Sequence, residues 1–160
     1  GGVTKIEWWG GTVDGSSVSC DENPKSFVIT FYRDNNGSPG IQYIYASYNA
    51  TVTGTYTGTK YGPNEVPIMH YEYTLDKAFS GLSEGWVSIQ GYPAGSCEFQ
   101  WLTSPNGDGK AFVDGRSQVD EDFSYGLHSD PSIPLSPWAL FSAIALIAAL
   151  IGWRIIRLYR

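Results

Sequence analysis

Apolar and polar residues alternate along most of this chain in short runs separated by Gly, Pro, Asn and Asp, the period-2 signature of strands with one buried face. The clearest run is 26–32, which sets Phe27, Ile29 and Phe31 on one face and Val28, Thr30 and Tyr32 on the other. It stops at a string of turn formers, residues 34–40. Residues 5–9 predict an opening strand that Gly10-Gly11 ends. Because neighbours on a strand face opposite sides, at most one of Trp8 and Trp9 enters the core, and the other is exposed or covered by a partner. Residues 41–48, 50–56, 68–75, 85–90, 97–102 and 122–127 continue in strand chemistry, flanked by turn residues. Nothing before Pro131 has helical periodicity. The pattern predicts an all-β fold of eight or so strands in two antiparallel sheets, a jelly-roll-like β-sandwich.

After residue 130 the pattern changes. Residues 131–153 hold no charged side chain, and Arg154, Arg157 and Arg160 follow. A helix over 138–159 would span about 33 Å against a hydrocarbon core of about 30 Å, which predicts one C-terminal transmembrane α-helix. Arginines collect on the cytoplasmic side. The expected organisation is therefore an extracytoplasmic domain over 1–130, periplasmic or extracellular, a Pro/Ser linker over 131–137, and a single-pass anchor over 138–160 with a cytoplasmic end. Within the anchor, Ala139, Ser142, Ala145, Ala149 and Gly152 recur every three or four residues. Such a stripe of small residues lets helix backbones approach closely in lipid, so the expected partners are other membrane helices or copies of this chain.

Charge and cysteine content narrow the function classes. Sixteen acidic residues against seven Lys and Arg give residues 1–130 a formal charge of −9, which repels phosphate backbones and argues against nucleic-acid binding. The sequence starts Gly1-Gly2-Val3 and has one methionine, Met69, the expectation for a product whose signal peptide has been removed. Two lone cysteines in an exported domain are expected to pair, so Cys20 and Cys97 predict a disulfide that stabilises by roughly 4 kcal/mol through chain entropy.

Several short patterns resemble those of a known group. Trp8-Trp9-Gly10, the 27–32 strand with Asp34 and Pro39-Gly40 behind it, Tyr71-Glu72-Tyr73, residues 85–89 and Trp101-Leu102 resemble secreted bacterial β-sandwich surface domains. The tail, Ile133-Pro134-Leu135-Ser136-Pro137-Trp138 before an apolar stretch and arginines, is similar to the C-terminal anchoring tails of bacterial surface proteins, some cut by exosortase-class enzymes. The resemblance implies fold and secretion and carries no catalytic site.

Candidate chemistry is sparse. Asn106, Asp108 and Asp114 place oxygens near one another in the sequence and could supply part of a calcium shell, although Asn-Gly and Asp-Gly are also common hairpin turns and the EF-hand spacing is absent. The pool of Trp and Tyr, Trp8 and Trp9 above all, could stack on sugar rings. Trp86 and Trp101, set among apolar strand residues, read as core. Glu72, Glu98, Asp76, His70 and His128 could form an acid–base pair, but no spacing selects two of them. The expectation is a non-catalytic assembly subunit of a membrane or surface complex, with carbohydrate binding or adhesion as the alternative.

Overall fold

The computed structural model describes residues 2–20, 22–80, 84–92, 97–106, 110–113, 117–119 and 121–129, with backbone alone at 41, 43, 112, 113 and 117–119. These residues are all-β and antiparallel. In chain order the strands are β1 (Val3–Val13), β2 (Lys25–Asp34), β3 (Pro39–Val52), β4 (Thr55–Tyr61), β5 (Val66–Phe79), β6 (Gly85–Gly91), β7 (Glu98–Trp101), β8 (Thr103–Ser104), β9 (Ala111–Val113), β10 (Ser117–Val119), β11 (Asp122–Phe123) and β12 (Tyr125–Ser129). The larger sheet runs β12-β1-β5-β4, with β7 also on β1, and the smaller runs β3-β2-β6; β9 pairs with β10 and β8 with β11.

Alternation places the core. Phe27, Ile29 and Phe31 are buried on one face of β2, as their spacing predicts, and meet Ile6 and Trp8 of β1 and Tyr71 and Leu75 of β5. The Trp8 indole stands edge-on to Phe27 at 4.9 Å and stacks on Tyr71 at 5.7 Å, so aromatic rings tie the larger sheet to the smaller. Lys25 is buried at the margin of this core, where Glu22 pairs with it at 2.5 Å and the Tyr92 carbonyl accepts from it at 3.0 Å. An unpaired charge at that depth would be costly.

The first strand does not end at Gly10-Gly11. It runs to Val13, because the glycines serve close approach: a Cβ on Gly10 would lie 2.4 Å from the Gln100 carbonyl oxygen and 2.5 Å from the Phe99 ring. Along its β12 side β1 therefore changes partner, pairing with β12 from Val3 to Trp8 and with β7 from Gly10 to Val13. Residues 41–48 and 50–56 do not form two matching strands either. β3 is continuous through Val52, and the break falls before Thr55, where Asn23 holds Gly54 by bonds to both its N–H and its carbonyl. The last predicted strand divides in two at Ser124.

Cys20 and Cys97 are bonded, with Cα atoms 5.9 Å apart, joining the segment after β1 to the residue before β7. The tail and its stripe, Ala139, Ser142, Ala145, Ala149 and Gly152, lie outside the described residues, as do Asp108 and Asp114. Among the described residues no helix is long and apolar enough to cross a membrane.

Candidate functional site

β6 pairs with β2 along one edge and, among the described residues, leaves the other edge unpaired. The N–H of Tyr92 donates to the Ser26 carbonyl at 2.8 Å, which fixes the phase of the ladder. Gln90, Ser88 and Trp86 bond to β2, and the backbone groups of Val87, Ile89 and Gly91 face the open side.

Beside that edge lies an aromatic margin of the larger sheet. Tyr125 and Leu127 are the register partners of Trp8 and Ile6, so they share the inner face of the sheet, yet each is 45% exposed. Among the described residues the smaller sheet has three strands against the five of the larger. Trp101 stacks on Phe123 at 4.7 Å, Tyr125 stands edge-on to Trp101 at 6.1 Å, and the Trp101 indole N–H donates to the Ser124 carbonyl at 2.9 Å. These rings and β6 bound a cleft of about 950 Å³, the size of a ligand or peptide groove.

Asp34, Gln90, Lys110 and Asp122 add polar groups to its lining. The Asp34 carboxylate accepts from the Gly37 N–H at 3.0 Å and from the Trp86 indole at 2.8 Å. Those two bonds, with the Lys110 charge, hold its carboxyl below the usual range. Trp101 packs against the core as predicted, but Trp86 faces away from Val87 and Ile89, toward Asp34. The alternation of β6 puts Ile89 inside, and Trp86 is of opposite parity.

A second constellation occupies the outer face of the larger sheet. Lys5, Glu7 and Trp9 alternate with buried Ile6 and Trp8, so they point outward. Register sets Glu7 opposite Glu72 on β5 and Gly126 on β12, Trp9 opposite His70, and Lys5 opposite His128. The two imidazoles close on Glu7 from either side, with His70 Nε2 3.0 Å from Oε2 and His128 Nε2 2.9 Å from Oε1. Burial alone would raise the Glu7 carboxyl, but the hydrogen bonds and charges of His128 and His70 outweigh it and leave the group below its ordinary value. Lys5 Nζ lies 2.8 Å from Glu72, and Trp9 stacks on His70 at 4.8 Å. Gly126 makes room, since a Cβ there would lie 2.7 Å from Glu7 Oε1.

Of the tryptophan pair, Trp8 is the core member and Trp9 the half-buried outer one. Asn106 is exposed in a turn where its N–H donates to Ser104 Oγ at 3.2 Å. The chain offers His70, His128 and Glu72 separately, and spacing cannot unite them with Glu7, because the grouping depends on the register of strands more than sixty residues apart. The one available signal is parity: Glu7 lies one residue from buried Trp8, and His70 and Glu72 flank buried Tyr71. No protein-family model, curated protein or solved structure matches this chain.

Proposed function

We propose that the chain is a non-catalytic assembly subunit: a jelly-roll-like β-sandwich held on the periplasmic or extracellular side of a membrane by the 138–160 segment, and joined to a partner through an extended segment that adds to β6. The observation that carries this reading is the one-sided pairing of β6, among the described residues, beside the aromatic cleft. An added strand would bond the outward backbone groups of Val87, Ile89 and Gly91 and set alternate side chains against Trp101, Phe123 and Tyr125. Among the described residues β6 also lacks the usual protection of an edge. It has no charged residue, whereas β4, another margin, carries Lys60 and a register shift between Tyr56 and Lys60. The apolar tail supports display at a membrane, and its stripe of small residues supports a second contact with a partner helix or another copy of the chain.

The test is a photo-crosslinking residue at Gln90 of the full chain in its native membrane, with Thr57 on β4 as control. Adducts from Gln90 that map to one extended segment of one partner are expected. Equal adducts from Thr57, or none from Gln90, would refute edge addition.

The same cleft favours carbohydrate binding as the second reading, because aromatic rings and Asp34, Gln90 and Asp122 line it together. A glycan array on the full chain separates the two. Binding to a defined sugar that Trp101→Ala removes, with no crosslinked protein, would select the sugar.

A further inference from the structure

We propose that Glu7, His70 and Glu72 hold a divalent transition-metal cation of the zinc class on the outer face of the larger sheet, with His128 as a positioning residue for Glu7. One donor atom from each of the three ligands lies within 4.8 Å of the others, and all three side chains are open to solvent, at 21%, 30% and 49% exposure. Donors around a tetrahedral zinc, each about 2.0–2.1 Å from the metal, sit about 3.3 Å apart. Glu7 Oε2 and His70 Nε2, at 3.0 Å, are already near that spacing. Small side-chain rotations then bring in Glu72, with water at the remaining position.

Two features of the sheet fit a cation better than a simple hydrogen-bonded staple. Glu7 and Glu72 stand directly opposite on neighbouring strands, where like charges repel. His70 is fixed in place by the Trp9 ring stacked on it, so the ligand is pre-oriented. His128 takes the other oxygen of Glu7, the arrangement by which an outer partner aims a ligating carboxylate. The imidazole selects against calcium, which prefers six to eight oxygens. Lys5 competes with the cation for Glu72.

The experiment is calorimetric titration of the full chain, stripped with chelator, with zinc alone and with calcium alone. One zinc per chain is expected, with calcium neither binding there nor displacing it. His70→Ala and Glu7→Gln should each abolish the isotherm, and His128→Ala should weaken it about 10- to 100-fold. Lys5→Ala should tighten binding, and Lys60→Ala, remote from the cluster, should not. Copper should quench the indole beside the site, and Trp9→Phe should remove that component. Circular dichroism confirms that each variant is folded. No zinc isotherm, an isotherm unchanged in folded His70→Ala, or displacement by equimolar calcium would overturn the assignment.

Discussion

The two faces of β1 are built from alternate residues of one strand and obey different rules. On the inner face Ile6 and Trp8 are sealed among Phe27 and Tyr71, and what matters is fit. On the outer face Lys5, Glu7 and Trp9 meet histidines and carboxylates at the edge of water, and what matters is charge and direction. The difference teaches where damage should fall. Changes inside cost stability and spare chemistry; changes outside do the reverse.

The sharpest way to break that contrast is to truncate the two tryptophans. Trp8→Ala should destabilise by about 3–5 kcal/mol, since it empties the space between the Phe27 and Tyr71 rings, whereas Trp9→Ala should cost about 1 kcal/mol. Denaturant titration of both variants tests this, and similar midpoints would refute the division. Trp8 also has an indole N–H with no partner among the described residues, so Trp8→Phe should cost far less than Trp8→Ala.

The two glycines give a smaller version of the same contrast. Gly10→Ala presses a methyl against backbone and the half-buried Phe99 ring and should cost about 1–3 kcal/mol. Gly126→Ala meets only the end of the Glu7 side chain, which can swing away, so its cost should stay below about 1 kcal/mol. Its mark should instead be a change in the histidine ring signals of an NMR spectrum.

Alkaline titration reads the inner face through Tyr71. Burial, helped by the Glu22 charge, pushes the Tyr71 phenol from 10.0 up to about 12. The unfolded phenol loses its proton near pH 10 and the folded one near 12, so unfolding releases a proton between them. This contribution to stability is complete below pH 10 and declines as pH rises to about 12. Absorbance at alkaline pH should show a late phenol that Tyr71→Phe removes.

The smallest effect expected is on the outer face. Glu7→Gln keeps the shape but loses the charge that two imidazoles address, and should shift stability by at most about 1 kcal/mol.

Much of the inner face was legible in the sequence, and little of the outer. Phe27, Ile29 and Phe31 announce a buried face because burial repeats every second residue. The cysteine pair was legible because the expectation of export leaves two lone thiols few other fates. Gly10 and Gly11 misled, since a glycine that ends a strand and one that admits a neighbour's ring read alike. The Glu7 cluster was hidden for a deeper reason: parity tells which way a side chain points, but only register tells which side chains meet. The cleft was illegible as well, because Tyr125 and Leu127 have the pattern of core residues and yet stay nearly half exposed.

The change of neighbour along β1 has a mechanical consequence. Val3 pairs with Ser129 and Trp8 with Tyr125, so a pull that separates Val3 from Ser129 opens that ladder like a zipper, one bond at a time and at low force. Further along, the route closes on itself. Tension travelling down β1 reaches Cys20, crosses the sulfurs to Cys97 and leaves through β7. The strands between the two cysteines, β2 to β6, are short-circuited by this covalent path and remain slack however hard the margins are drawn apart. The fold therefore has a sacrificial seam that yields and re-forms, around a centre that tension between those two points does not reach.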